Sequence, residues 1–273
     1  MSIFQTILVP VDFTINTEVA ICKSLEVVNV NDVVVHLLHV TKLSLNDVSL
    51  GRSLKTEKEI DAEIKLNDWK LSIEEYLPGS KVICWTQPGL SVEDVIINKS
   101  LDLAPDLIVI GKKSAHSLLP VLNTISPSRI AKNTGCPVLT VKPGSLHKDI
   151  KHVVVPVTND ASEFKLDILT TLCKTSGTTV SLVTFRNDDD DSDDSSASSM
   201  LQAFQKLKAM SNYQVQYAVL RGRNRAKAIL QFAEDKQADI LLLRSSSETR
   251  IGWPGKHISD VIAPDSKLQV LTV

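Results

Sequence analysis

Aromatic residues are scarce: Phe, Trp and Tyr make up 4% of 273 residues, so any core has to be built from Val, Ile and Leu. An excess of one charge is also missing. Lys and Arg total 30 against 32 Asp and Glu, a formal net charge of −2. That balance gives no global attraction to nucleic acid or to an anionic membrane. No apolar run reaches the roughly 18 residues of a membrane span. The opening Met1-Ser2-Ile3-Phe4-Gln5 lacks the form of a signal peptide, and the expectation is a cytoplasmic protein. The four cysteines, Cys22, Cys84, Cys136 and Cys173, contain no C-x-x-C pair and have no histidine cluster nearby. They read as small buried residues in a reducing compartment, and no metal site is expected. The patterns GxxxxGK[ST], GxSxG and HExxH are all absent. Their absence removes the support for a Walker-type ATPase, an α/β-hydrolase nucleophile or a zincin.

What is present is a repeated stretch. Thr6-Ile7-Leu8-Val9-Pro10-Val11-Asp12 returns as His152-Val153-Val154-Val155-Pro156-Val157-Thr158. Each is a β-branched and aliphatic run that stops at a polar residue, the pattern of a strand buried on both faces of a parallel sheet. The polar residue then stands at the strand's carboxyl end, where open α/β sheets place their ligands. The copies differ there, with Asp12 in one and Thr158 in the other.

The rest of the chain alternates in period. Strands are expected at 5–12, 32–41, 81–85, 107–111 and 138–141, with helices at 16–28, 56–76, 91–101 and up to Asn133. Glu93 and Asp94 suit the N-terminal dipole of the helix opened by Ser91. His36 and His39 lie three apart in the second strand, so they point to opposite faces and read as structural. Pro143-Gly144-Ser145 is a natural linker. Strands at 150–157, 178–185, 213–220, 238–243 and 267–273 and helices at 161–174, 200–210 and 224–234 then repeat the order. Ala238-Asp239-Ile240-Leu241-Leu242-Leu243 matches Pro105-Asp106-Leu107-Ile108-Val109-Ile110, and Val-Leu-Thr-Val closes both copies. The chain is an internal duplication, with domains expected at 1–145 and 146–273. The second carries an acidic low-complexity loop at 187–199, Asn187 to Ser199.

The residues Ile7 to Asp12, Asp106 to Gly111 and Cys136 to Lys142 resemble the universal stress protein family, and the resemblance covers the whole chain as two tandem copies. It implies, for each copy, a five-stranded doubly wound parallel sheet of order 3-2-1-4-5. It also implies a pseudo-dimer built within one chain through the last strands, with a further homodimer left open. Members of the family that bind ATP carry G-x-x-G, nine residues, then G-S or G-T after the fourth strand. Glycines there let backbone N–H groups approach the phosphates at a helix N-terminus.

By this resemblance the first copy's candidate AMP or ATP site, with magnesium, comprises Pro10, Val11, Asp12, Thr41, Gly111, Ser114 and Thr124. Only Gly111 keeps its glycine: Ser114 replaces the second, and Thr124 and Ile125 stand at the G-S place. In the second copy Thr158 replaces the aspartate and Arg244 the first glycine. Lys112, Lys113 and His116 are candidate anion contacts, or simply solvated loop residues. Arg221, Arg223 and Arg225 open a helix against its dipole, so an anionic group nearby would relieve them. The acidic loop is a candidate shield, displaced by a protein partner or a small anionic ligand. Two functional readings follow. One is a non-enzymatic stress-response signalling or interaction module with degenerate nucleotide sites. The other is an AMP- or ATP-binding switch confined to the first copy, with slow hydrolysis left open.

Overall fold

The computed structural model describes residues 4–27, 33–43, 57–112, 125–146, 149–157, 163–172, 177–185, 194–209, 213–222, 224–244, 248–251, 257–263 and 265–273. The first half runs β1 (Thr6–Val11), α1 (Ile15–Val27), β2 (Val34–Lys42), α2 (Glu57–Tyr76), β3 (Lys81–Gly89), α3 (Val92–Leu103), β4 (Leu107–Gly111), α4 (Pro127–Thr134) and β5 (Val138–Val141). A 3₁₀ turn at Pro143–Ser145 leads into the second half. That half runs β6 (His152–Pro156), α5 (Glu163–Leu172), β7 (Thr178–Phe185), α6 (Asp194–Ala209), β8 (Tyr213–Leu220), α7 (Arg225–Asp235), β9 (Ile240–Leu243), α8 (Ile258–Val261) and β10 (Gln269–Thr272).

All ten strands form one sheet in the order β3-β2-β1-β4-β5-β10-β9-β6-β7-β8. Each half is parallel within itself, in the order 3-2-1-4-5 that the family resemblance implied. The halves meet where β5 and β10 pair antiparallel, Thr140 opposite Val270. The closing strands thus satisfy each other's edges within one chain. On one face a single apolar core runs beneath both halves, from Val19 and Leu66 through Leu139 and Leu271 to Ile168 and Leu207. On the other face the cores are separate, one around Ile96 and Ile130 and one around Ile229 and Ile258.

The duplication extends to a polar staple. Asp106 Oδ2 accepts from the N–H groups of Gln5 (3.0 Å) and Thr6 (2.8 Å). Asp239 Oδ2 does the same for Lys151 and His152, both at 2.9 Å. The aspartate before each fourth strand therefore ties that strand to the start of the first, at the amino edge of the sheet. Helix starts follow the capping residues. Ser91, Ser126 and Asn224 accept from the N–H groups of Asp94, Arg129 and Lys227.

Several expectations need correction. Helix α6 begins at Asp194, so 194–199 is not loop. The remainder of the acidic run at 187–193 lies outside the described residues. Strand β3 continues past Trp85 because pairing with β2 carries on to Lys42 opposite Gly89, and an edge position tolerates Pro88. Cys22 is exposed on α1, whereas Cys136 is buried as expected. Burial pushes the Cys136 thiol up to about 12, which makes it inert. Cys173 lies outside the described residues.

Candidate functional site

Strand order reverses beside β1 in the first half and beside β6 in the second. Each half therefore has a topological switch point at the carboxyl ends of those strands, between them and their neighbours β4 and β9, where open α/β sheets place their ligands. The residues expected there can be placed one by one.

In the first half, Asp12 ends β1 and turns inward on its own loop. Its Oδ1 accepts from the Thr14 hydroxyl and the Thr17 hydroxyl, both at 2.6 Å, and from the Thr14 N–H at 3.1 Å. This local aspartate turn starts α1. Phe13 follows with φ of 56°, a left-handed backbone that a bulky residue rarely takes. Its ring packs 4.8 Å from His39 and 5.4 Å from Trp69, centroid to centroid. The Val11 carbonyl accepts from His39 Nδ1 at 2.9 Å, which fixes the proton on that nitrogen. Thr41, near the end of β2, has a buried hydroxyl with no hydrogen-bond partner among the described residues. His36, on the opposite face as its spacing implied, accepts from the Trp85 indole N–H at 3.0 Å. Lys99 stands 3.3 Å from the centre of the same indole.

Gly111 lies at the end of β4, where a Cβ would come within 1.8 Å of the Asn16 carbonyl oxygen and 2.3 Å of its carbon. The missing side chain is what lets α1 pack onto β4. Lys112 is not an open cation. Its ammonium is nearly buried, donates to the Ile125 carbonyl at 3.0 Å and pairs with Asp260 of the second half. Ser114, Thr124, Lys113 and His116 lie outside the described residues.

The start of α4, just beyond the place of the family's G-S, is already held by an anion. Glu93 Oε2 accepts from the Ser126 N–H at 2.5 Å, while Glu93 Oε1 pairs with Arg129 at 2.6 Å. It stands in the first turn of α3, as its position suggested, and the carboxylate also reaches across to the next helix.

The second half has a counterpart. The Arg244 N–H, directly after β9, donates to Glu248 Oε2 at 2.8 Å. Lys165 of α5 donates to the same oxygen at 3.1 Å and to the Pro156 carbonyl at 3.2 Å. Glu248 is only 2% exposed, and its Oε1 has no hydrogen-bond partner among the described residues. Burial lowers the pKa of Lys165, against the opposing pull of Glu248. An ion pair thus spans the switch point between β6 and β9. Neither Lys165 nor Glu248 could be singled out from the sequence, because each lies in an ordinary polar context and only the tertiary fold brings them together. Thr158 lies outside the described residues.

Arg221 is exposed at the carboxyl end of β8. Arg225 sits 5.3 Å over the ring of Phe185, which ends β7. Phe185 and Leu220 are paired neighbours, so β7 ends beside these arginines. Arg223 lies outside the described residues. Among the described residues no group of three or more His, Cys, Asp or Glu side chains is placed to hold a metal. No described helix is long and apolar enough to cross a membrane.

The fold defines a class: tandem doubly wound α/β halves, each with a switch point beside its first strand. Residues 3–142 match the universal stress protein family, and the chain belongs to that family. Among solved structures, it is similar to a universal stress protein from Archaeoglobus fulgidus, at 19% identity and a TM-score of 0.65, covering 98% of this chain and 97% of that one. A putative universal stress protein from Pseudomonas aeruginosa is 17% identical with a TM-score of 0.59, covering 99% and 93%. One from Arabidopsis thaliana, solved with AMP bound, is 21% identical over 50% of this chain and 90% of that one, with a TM-score of 0.34. No curated protein sequence matches the chain.

Proposed function

We propose that this chain acts in the cytoplasm as a non-enzymatic stress-response module, for signalling or interaction, whose nucleotide sites are degenerate. One observation carries the reading. In both halves an internal glutamate carboxylate already engages a backbone N–H of the segment that follows the fourth strand. A nucleotide phosphate in the second half would have to displace Glu248 from Lys165. Breaking a buried pair costs about 3–5 kcal/mol, and that cost lowers affinity by about a hundredfold or more. Arg244 adds a side chain where the family's pattern has none. In the first half a phosphate would meet the negative charge of Glu93 at the start of α4. Arg221, Arg223 and Arg225 are then the surface for an acidic protein partner or a small anion.

A second reading keeps AMP or ATP, with magnesium, in the first half alone and leaves slow hydrolysis open. The orphaned Thr41 hydroxyl favours it, because buried polar groups are normally paired and a ribose or base could supply the partner. Asp12 and Gly111 stand at the same switch point.

Calorimetric titration of nucleotide-stripped protein with ATP and AMP, with and without magnesium, separates the two. The module reading expects no heat and no thermal shift at millimolar nucleotide. Micromolar binding at one site per chain, lost in Asp12→Ala, would overturn it in favour of the switch.

A further inference from the structure

The ten-stranded sheet has two outer edges, β3 and β8, and they are built differently. Among the described residues strand β3 pairs only with β2, and it carries Lys81, Pro88 and Gly89. Lysine and proline are the residues that protect an edge from further pairing. Among the described residues strand β8 pairs only with β7; it is eight residues long and reads Tyr-Gln-Val-Gln-Tyr-Ala-Val-Leu. It holds no charge, no proline and no glycine. Tyr217 is 67% exposed and Val219 50%.

The sequence of this edge is self-complementary. Residues 213–217 are a palindrome, Tyr-Gln-Val-Gln-Tyr, centred on Val215. In an antiparallel pair with a two-fold axis through Val215, Tyr213 faces Tyr217 of the other copy and Gln214 faces its Gln216. Directly opposed residues share a face and sit about 4.5–5.5 Å apart. Tyrosines therefore meet tyrosines on the face of α6, where Tyr217 already stands edge-on to Phe204 at 6.4 Å. Glutamines, exposed in the single chain, meet glutamines on the other face, where their amides can bond to each other. Over residues 213–217 like meets like, with no charge opposed. A two-fold axis makes each contact occur twice, i to j and j to i, so the palindrome places each tyrosine and each glutamine against its own kind on both sides of the axis.

We propose that β8 is a self-association edge: two copies of this chain join antiparallel through Tyr213 to Tyr217, extending the sheet across both molecules. The partner is a second copy of this chain rather than a foreign peptide. The joint repeats, between chains, the antiparallel edge pairing that β5 and β10 make within one chain. It lies at the far end of the sheet from that seam and does not depend on whether either switch point takes a nucleotide.

Sedimentation of the intact chain from about 1 to 500 μM, a range that brackets weak edge pairing, reads the association. The expected result is a concentration-dependent shift from the 30.0 kDa chain to a dimer. The double variant Gln214→Lys with Gln216→Lys places like charges opposite one another twice. Both positions are exposed, so the fold is retained, as circular dichroism and the unfolding midpoint will check. Dimerisation should weaken by about a hundredfold or more. Val215→Cys should cross-link to itself under mild oxidation, and Ala218→Cys, off the axis, should not. A chain that stays monomeric throughout overturns the proposal. So does a dimer unaffected by the two lysines, or one in which Val215→Cys fails to cross-link.

Discussion

At the scale of single residues, Gly111 shows how a motif position can be legible while its physical role is not. The spacing after β4 marks it as one of the family's phosphate-approach glycines. In the structure its missing Cβ is required by α1, whose Asn16 carbonyl occupies the space. Gly111→Ala should therefore destabilise the protein whether or not nucleotide binds. Overpacking against backbone cannot relax as a side chain would, so the loss should be about 3 kcal/mol. Urea unfolding reads it as a lower midpoint at unchanged slope. An alanine variant with wild-type stability would mean that α1 shifts freely and that the glycine serves some other purpose. The buried glutamates were not legible at this scale. A glutamate near a helix start reads as a dipole partner for its own helix, yet Glu93 also serves α4 and Glu248 serves a lysine 83 positions away in sequence.

At the scale of elements, most strands were readable from composition, because a doubly covered parallel sheet leaves its strands uniformly apolar. Their ends were less so: β3 gained four residues from pairing with β2, which composition does not report. Short helix α8 gave no periodic signal at four residues. Helix ends offer a paired test. Helices α3 and α4 both stop on a left-handed residue, Ala104 at φ 44° and Gly135 at φ 68°. Both are exposed, and a Cβ at Gly135 would meet no atom within 4 Å. Backbone preference alone then separates the two sites. Ala104→Gly should stabilise and Gly135→Ala should destabilise, each by about 1 kcal/mol. Opposite shifts in thermal midpoint are the expected result; shifts of the same sign would place the control in side-chain contacts.

At the scale of the whole molecule, the family resemblance of the two copies forecast the joint between halves but not its charge. The β5–β10 seam is flanked by Lys112 and Asp260, one from each half, and Lys142 is buried beside them. Burial lowers the Lys142 pKa from 10.5 to about 8, with Lys112 adding to the shift and Asp260 opposing it. An unfolded chain keeps that lysine protonated up to about 10.5. Between pH 8 and 10.5 the unfolded state therefore holds more protons than the folded one, and stability rises with pH. Below pH 8 both states are protonated and the full cost of burying the charge is present. Lys142→Met should remove this dependence, since a methionine fills the space of the stem without a charge. Denaturation midpoints measured from pH 7 to 10 for the two proteins should converge as pH rises, with the variant the more stable at pH 7. Asp260→Asn moves the balance the other way: losing the carboxylate depresses the Lys142 pKa further, and the rise should begin below pH 8. Parallel midpoints for wild type and Lys142→Met across the range would mean that Lys142 reaches water, and that the seam opens more readily than its pairing suggests.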